Sequence, residues 1–499
     1  MKIVLASSEV EPFAKTGGLA DVCGVLPREL AEAGHDVTVF MPAYRCVLTG
    51  GQTITPTDID IAVPVGSKLV TGRVLESRLP DSNVVVYLIE QQEFFDRPEL
   101  YGENGEEYND NCERFVFFCR AVLESIRLME MNVDIIHAND WQSALLPVYL
   151  KTEYAGTPPF DQVASLMTIH NLAYQGRFWH WDMLLTGLDW KYFNWRQMEF
   201  YGQLNLLKSG IAFADAISTV SPTYAKEIQG AAQGCGLEGA LQSRSSDLTG
   251  ILNGIDNDVW NPNIDPHLSQ KYSVANWREG KQKNKKTLQI QLGLEESPER
   301  PLIGIVGRLA SQKGWDLIIP VMQQWLETID VQWAILGTGQ PEYESQLLKL
   351  HGLYPKKFSM NLQFNEGLAH LIEAGSDIFL MPSQYEPCGL NQMYSMAYGT
   401  VPVVRRTGGL ADTVIDCGDK SMADGTATGF SFGPFLAQSL EQALARAVCC
   451  YRENPLTWSK LVESGMKHDW SWAASTSRYV ELYERTIALR RNEILNSTQ

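Results

Sequence analysis

The hexapeptide TGGLAD stands twice in this 499-residue chain, at 16–21 and again at 407–412, near its opposite ends. Whatever the chain folds into has to give both copies a home. An apolar run at 3–6 leads into the first copy and an amphipathic stretch at 22–33 follows it, which is the order strand, glycine loop, helix. Paired glycines let the backbone approach a ligand closely, and the unpaired N–H groups of a first helical turn favour phosphate or sugar oxygens. Gly-Gly also marks ordinary turns, so one copy alone leaves turn and ligand loop equally open. The recurrence predicts two similar half-sites facing one ligand.

Short apolar runs rich in β-branched residues recur between longer helical patterns, at 37–41, 84–89, 134–137, 165–170 and 216–220. This alternation predicts an α/β chain with a mainly parallel sheet. NPNIDP at 261–266 has two prolines and no periodicity, and reads as a hinge; the basic run KQKNKK at 281–286 reads as a solvated helix face. The pattern then restarts, with strands at 302–306, 331–336, 378–381 and 399–404 and a helix at 315–326. The last strand runs directly into the second TGGLAD. The expected organisation is two Rossmann-like, doubly wound domains, 1–260 and 261–469. A helical tail at 470–499, with Trp472, Tyr479 and Leu482 on one face, packs back on the first.

Composition narrows the partners. Forty-four per cent hydrophobic residues is ordinary for a globular chain with sizeable cores, and a formal charge of −18 repels polyanions in the mean field, so nucleic acid and anionic membrane are poor partners. Nine cysteines without a CxxC pair suggest reduced cytosolic thiols rather than a disulfide framework or zinc site. Glu9 and Glu11 interrupt the amino-terminal apolar run, and no run approaches the length of a membrane span, so the chain is expected to be cytoplasmic.

In doubly wound sheets ligands sit beyond the carboxyl ends of the strands, so the strand-end residues are the candidates. Lys15 precedes the first Gly-Gly, where a cation joins backbone donors around Gly18. The loop is neither GxxxxGKS nor GxGxxG, which removes support for ATP hydrolysis and dinucleotide binding. Gly307 and Arg308 end a strand, and Lys313 follows in GRLASQKG; two cations there can neutralise a diphosphate leaving group. SQYEPCGLNQ at 383–392 follows the apolar strand, placing Glu386 in a rigid turn where a carboxylate can accept hydrogen bonds from sugar hydroxyls. Cys388, Gly389 and Leu390 follow at a helix start, with Cys388 read as a small buried thiol rather than a nucleophile. His170 and Asn171 end one strand, His137, Asn139 and Asp140 another, and both histidines lie at the expected ligand edge. No set of side chains has the spacing of a metal site. Aromatic residues crowd 174–195, where rings serve either to stack on sugars or to fill a core.

Taken in order, KTGGLADV, TIHNLAYQG, GILNGID, GRLASQKG, EPCGL and TGGLADTV closely resemble the bacterial glycogen synthase and plant starch synthase family over nearly the whole chain. The resemblance implies a GT-B fold, two Rossmann-like domains facing each other across a cleft. It implies transfer of glucose from ADP-glucose to the non-reducing 4-hydroxyl of an α-1,4-glucan, with retention, release of ADP and no metal or other cofactor. It makes Arg308 and Lys313 the holders of the diphosphate, with Lys15 supporting the donor from the other domain. Glu386, His170, Asn253 and the backbone of Cys388, Gly389 and Leu390 would orient the glucosyl hydroxyls, and Thr407, Gly408 and Gly409 would line the distal phosphate. Asp21 and Asp140 are family positions assigned only to cleft architecture or substrate contact. Gln142 and Asn391 depart from the family pattern, which often has histidine and usually threonine there. Retention without a carboxylate nucleophile favours a front-side displacement in which the leaving phosphate helps remove the acceptor proton. The alternatives are a retaining GT-B enzyme with another donor or a small acceptor, and a glucan-binding scaffold with weak activity.

Overall fold

The computed structural model describes residues 1–103, 105–363 and 365–497, so the last two residues of the expected tail lie outside the described residues. The chain forms two compact units, Met1–Ile251 with Trp472–Gln499, and Leu252–Ser471.

Unit 1 is built on a nine-stranded sheet in the order Leu248–Gly250, Ala216–Thr219, Ala164–Ile169, Ile135–Asn139, Lys2–Ala6, Asp36–Pro42, Val85–Glu90, Lys68–Arg78, Thr55–Val65. Neighbours are parallel as far as Val85–Glu90, and the last two strands form an antiparallel hairpin. Ile3, Val4, Leu5 and Ala6 are each no more than 1% exposed, so this strand is covered on both faces. That is why it reads as an unbroken apolar run. The hairpin is not legible in the sequence, because its edge strand Thr55–Val65 carries Pro56 and Pro64 and alternates charged with apolar residues.

Helix Ala473–Ser497 belongs to unit 1. Its Tyr479 and Leu482, with Trp472 just ahead of it, join the unit 1 core. The Tyr483 hydroxyl meets His137 Nδ1 at 2.8 Å, and His137 Nε2 meets Thr168 Oγ1 at 2.5 Å. His137 is fully buried, and burial drives its pKa down to about 3. It therefore fastens the last helix to the sheet, and is not at a ligand edge as the strand-end reading expected.

Unit 2 carries a six-stranded, wholly parallel sheet in the order Phe358–Asn361, Gln332–Leu336, Leu302–Val306, Ile378–Met381, Val401–Arg405, Phe430–Phe432. Strands at 302–306 and 378–381 stand where their apolar runs are. The one expected from 399 starts at Val401, because Gly399 adopts φ +70° against Val462 and Met466.

Two sequence expectations need correction here. NPNIDP is not a hinge, and the units divide at 251/252 rather than 260/261. Asp265 is fully buried, 2.7 Å from His370 Nδ1 and 2.5 Å from the Tyr398 hydroxyl, and Trp260 stacks between His370 at 3.9 Å and Tyr394 at 3.8 Å. The segment is stapled into unit 2. The basic run lies on helix Trp277–Gln291 but is only half solvated. Lys283 and Lys286 are exposed beside Glu279 and Glu296, whereas Lys281 and Lys285 are buried. Lys281 Nζ donates to Thr400 Oγ1 at 2.6 Å and the Ala374 carbonyl at 2.9 Å. Lys285 Nζ pairs with Asp377 at 2.7 Å and donates to two carbonyls. Long side chains turned inward here satisfy carbonyls at the strand starts.

Burial raises the Asp265 carboxyl pKa, but hydrogen bonds from His370, Tyr398 and the His267 amide more than offset this and hold it below the usual range. Asp265→Ala leaves buried polar partners unsatisfied and should cost about 3 kcal/mol in urea unfolding. Asn263→Ala, at an exposed position of the same segment, should stay within ~0.5 kcal/mol. Because the folded pKa is depressed, the Asp265 contribution is complete above the unfolded carboxylate pKa and declines as pH falls through the folded value. The gap between wild type and Asp265→Ala should therefore close on acidification.

Candidate functional site

In unit 2 the site residues gather at the carboxyl ends of the parallel strands. Strand Leu302–Val306 ends in Gly307 and Arg308, and Gly337, at the end of the neighbouring strand, passes so close that a Cβ on it would stand 1.9 Å from the Gly307 carbonyl oxygen. Arg308 is exposed and, among the described residues, its guanidinium has no carboxylate partner; its carbonyl accepts from the Trp315 indole at 3.1 Å. Lys313 ends a single 3-10 turn, Ser311–Lys313, and Gly314 follows at φ +82°, where a Cβ would lie 2.4 Å from the Pro382 carbonyl. That approach brings Lys313 Nζ to 2.7 Å from Glu386 Oε2, which also accepts from Ser383 Oγ at 2.9 Å. Glu386 is 6% exposed. Its Oε2 is held by one cation and one hydroxyl, and this gives the pair a defined direction.

The second Gly-Gly explains the shape of the 386–390 turn. Gly408 adopts φ +44°, and a Cβ there would stand 2.0 Å from the Glu386 carbonyl oxygen; one on Gly409 would stand 2.1 Å from that of Cys388. The Gly409 amide donates to the Glu386 and Pro387 carbonyls. Gly389 is at φ +70°, and the Gln392 side-chain amide donates to the Cys388 and Gly389 carbonyls and to Thr413. Leu390 caps helix Asn391–Ala397, and Thr407, 1% exposed, caps Gly408–Thr413. Cys388 is buried, and burial pushes its thiol up to about 12, as suits a packing residue and not a nucleophile. Asn253 is also buried, and its Oδ1 has no hydrogen-bond partner among the described residues. The departure at Asn391 has a structural use: its Nδ2 donates to the Val306 carbonyl at 2.9 Å, tying this helix to the strand that delivers Arg308.

Unit 1 presents its own strand-end group. Asp140 follows strand Ile135–Asn139 at φ +54°, a strained conformation for a non-glycine residue. Its Oδ1 accepts from the His170 amide at 2.7 Å, and its burial raises the carboxyl pKa to about 7. The Asn139 Nδ2 donates to the Ala6 and His137 carbonyls, which leaves Oδ1 to face His170 Nε2 at 2.9 Å. His170 Nε2 therefore carries the proton and Nδ1 the lone pair. Burial lowers the imidazole pKa to about 3, so His170 is neutral at physiological pH.

The first TGGLAD is not a copy of the second in its surroundings. Gly17 is in extended backbone with open space where a Cβ would stand, and Gly18 begins helix Gly18–Glu32. The amides of Thr16 and Gly17, with Thr16 Oγ1, donate to the Glu9 carboxylate at 2.5, 3.3 and 2.7 Å. Glu9, which also accepts from the Tyr101 hydroxyl, occupies two of the loop amides just ahead of the helix. Lys15 Nζ lies 2.6 Å from Asp21 and 3.6 Å from Glu11, so that cation is already opposed by two carboxylates. Glu9 was missed; its only signal was an acidic residue between an apolar strand and a glycine loop. Ser383 carries no signal in the sequence beyond its three-residue spacing from Glu386, which lets it reach the carboxylate.

The strand-end cations, the close-packed glycine turns and the two parallel-sheet units are those of a glycosyltransferase of the GT-B class. A family model described as "Starch synthase catalytic domain" matches residues 2–243, and one described as "Glycosyl transferases group 1" matches 289–459. The chain is 47% identical to a glycogen synthase of Rhodopirellula baltica and 46% identical to glycogen synthase 2 of Geobacter metallireducens, with 98% of this chain and 99% of each relative covered. Its fold matches the catalytic domain of starch synthase IV from Arabidopsis thaliana bound to ADP and acarbose. The TM-score is 0.90 at 35% identity, over 98% of this chain and 99% of that one. A sucrose-phosphate synthase from Thermosynechococcus elongatus, at TM-score 0.59 and 18% identity, shares the fold. The chain belongs to the glycogen synthase and starch synthase family, and is a glucan-synthesising glycosyltransferase.

The unequal glycine pairs make a direct comparison. Gly408→Ala should destabilise the protein by about 2–3 kcal/mol through a strained φ and a backbone clash, and distort the Glu386 turn. Gly17→Ala should stay within ~0.5 kcal/mol in the same urea titration. Because its folded pKa lies near 3, the His170 ring should hold its neutral-form NMR shifts from pH 8 to pH 5. A titration centred near the ordinary imidazole value would contradict its buried, neutral state.

Proposed function

We propose that the protein transfers glucose from ADP-glucose to the non-reducing 4-hydroxyl of an α-1,4-glucan, with retention of anomeric configuration and without a metal or other cofactor. The observation that carries this reading is the Lys313–Glu386 pair beside Arg308, at the ends of adjacent parallel strands. Arg308 and Lys313 neutralise the charge that grows on the departing ADP, and this leaving-group stabilisation is the main contribution of the protein to the rate. Glu386, fixed by Lys313 and Ser383, accepts from glucosyl hydroxyls, with Asn253 Oδ1 as a further acceptor in need of a donor. The turn from Cys388 to Leu390 and the Thr407–Gly409 backbone complete the donor side.

Neutral His170 brings no positive charge to a transition state that is itself cationic at the anomeric carbon. Its Nδ1 lone pair accepts from a hydroxyl, while Asn139 Oδ1 holds the ring and Asp140 holds the backbone amide. Lys15 and Asp21 form a charged pair that supports the donor or the cleft walls. Front-side displacement suits these groups, since the departing phosphate oxygen takes the acceptor proton. The relative bound to ADP and acarbose supports a nucleotide and a glucan-like sugar as ligands. The net charge of −18 is consistent with a neutral polymer rather than nucleic acid as partner. No described helix is long and apolar enough to cross a membrane. The nine free cysteines suit a reducing compartment, and on that ground we place the enzyme in the cytoplasm.

The test is incorporation of labelled glucose into glycogen from ADP-glucose and from UDP-glucose in parallel, with Glu386→Ala as control. Incorporation from ADP-glucose that depends on Glu386 is the expected result. Preference for UDP-glucose would move the donor assignment, and glycogen binding without turnover from either donor would favour a scaffold. Arg308→Ala and Lys313→Ala should each lower kcat by roughly 10²–10³-fold, with far smaller effects on the melting temperature.

A further inference from the structure

Five tryptophans and tyrosines between 179 and 201 are at least 40% exposed, an unusual cost for side chains that gain so much from burial. Three of them form a line. Trp179, Trp181 and Trp190 are 63, 48 and 40% exposed, with ring centroids 6.4 Å apart for the first pair and 5.5 Å for the second. The ring planes meet at 66° and 78°, so the rings touch edge to face and each indole keeps ring surface open to solvent. At one end Phe193 meets Trp190 at 5.4 Å. At the other, Phe178, next in sequence to Trp179, meets Trp141 at 5.6 Å. Trp141 follows Asp140 directly. Gly176, at φ +60°, lets this segment pass over Trp141, with a Cβ position only 2.5 Å from the indole.

We infer that this aromatic line is an accessory binding surface for an α-glucan chain, continuous with the Asp140–His170 edge of unit 1. The inference deepens the glucan reading above and rests on it for the identity of the polymer. Three observations point to a sugar polymer rather than to a protein. The rings are spaced on the scale of successive hexoses, and polar His180, Lys191 and Asn194 stand among them, with Leu184 the exposed aliphatic side chain of the stretch. The line begins beside groups already assigned to the site, so one extended chain can follow it. The scaffold is also rigid: Arg177–Trp179 is a strand paired with Gln203–Asn205, and the carbonyl of Thr186 accepts from Arg120 and Tyr149. Rings held in place before binding lose little entropy when a sugar stacks on them. Nucleic acid also stacks on aromatic rings, but it meets a chain of charge −18.

The full-length enzyme is titrated with glycogen in native affinity electrophoresis, without donor, and assayed in parallel for transfer to maltotriose and to glycogen. Trp181→Ala/Trp190→Ala should weaken glycogen binding about tenfold, the scale of one to two lost stacking contacts. It should raise KM for glycogen with kcat unchanged, and leave transfer to maltotriose within about twofold of wild type, since an accessory contact adds only to ground-state binding. Trp181→Tyr, which keeps a ring, should restore most of the affinity, and Trp179→Ala is a milder variant should the double one fail to fold. Unchanged glycogen binding in folded variants overturns the proposal, as does an equal loss of transfer to maltotriose, which would make the line part of the acceptor site itself. Wild-type protein that binds glycogen through these rings but transfers no glucose would sink the proposed function and leave the surface standing.

Discussion

The carbonyl oxygens of Glu386 and Cys388 lie 2.0 and 2.1 Å from the points where Cβ atoms on residues 408 and 409 would stand. That contact, one backbone turn pressed on another without side chains between them, is the constraint from which the rest of the unit 2 site follows. It holds the turn at the end of strand Ile378–Met381 and so points the Glu386 carboxylate back toward Lys313. A second glycine approach, Gly314 on the Pro382 carbonyl, brings Lys313 from the other side. Between them these contacts bury the Glu386 carboxylate, while the Lys313 side chain stays 25% exposed, and a charge pair with one partner withdrawn from solvent is screened less than one at the surface.

The same logic separates the two TGGLAD loops. Each follows a buried parallel strand and opens a helix, as its hydrophobic flanks require. Only the second is compressed. In the first, the Thr16 and Gly17 amides are taken by Glu9, and the neighbouring cation by Asp21 and Glu11. An identical hexapeptide therefore performs two structural tasks, one by close packing and one by supplying donors to an internal carboxylate. Symmetry of sequence did not carry through to symmetry of environment, because the groups that decide the difference come from elsewhere in the chain.

Burial sets the chemistry of the unit 1 edge. His170 is neutral because the interior disfavours its charged form, and its tautomer is determined by Asn139, whose own amide is anchored to two carbonyls. His137 sits on the same sheet, is buried and likewise neutral, yet both its ring nitrogens are taken by fold contacts, one with Tyr483 of the last helix and one with Thr168 of the neighbouring strand. Two histidines at similar strand-end positions thus divide into a candidate ligand group and a fold contact. Nothing in their local sequence distinguishes them, since the partners of His137 lie 31 and 346 residues away.

What the sequence determined by itself was everything that depends on neighbours along the chain. The buried parallel strands at 302–306 and 378–381 were legible because a strand covered on both faces must be apolar throughout. The glycine turns and the cations of GRLASQKG were legible because they follow those strands directly. The edge hairpin and the roles of Glu9 and Ser383 were not. Tertiary structure alone decided that Lys281 and Lys285 of the basic run turn inward, since their acceptors are the carbonyls of Ala374, Pro298 and Arg300 and the carboxylate of Asp377. It alone decided that NPNIDP is clamped through Asp265 to His370 and Tyr398 instead of bending freely. Local pattern specifies which backbone conformation is cheap and which face is apolar. Whether a charged group finds a buried partner depends on distant segments meeting in space, and only the folded chain brings them together.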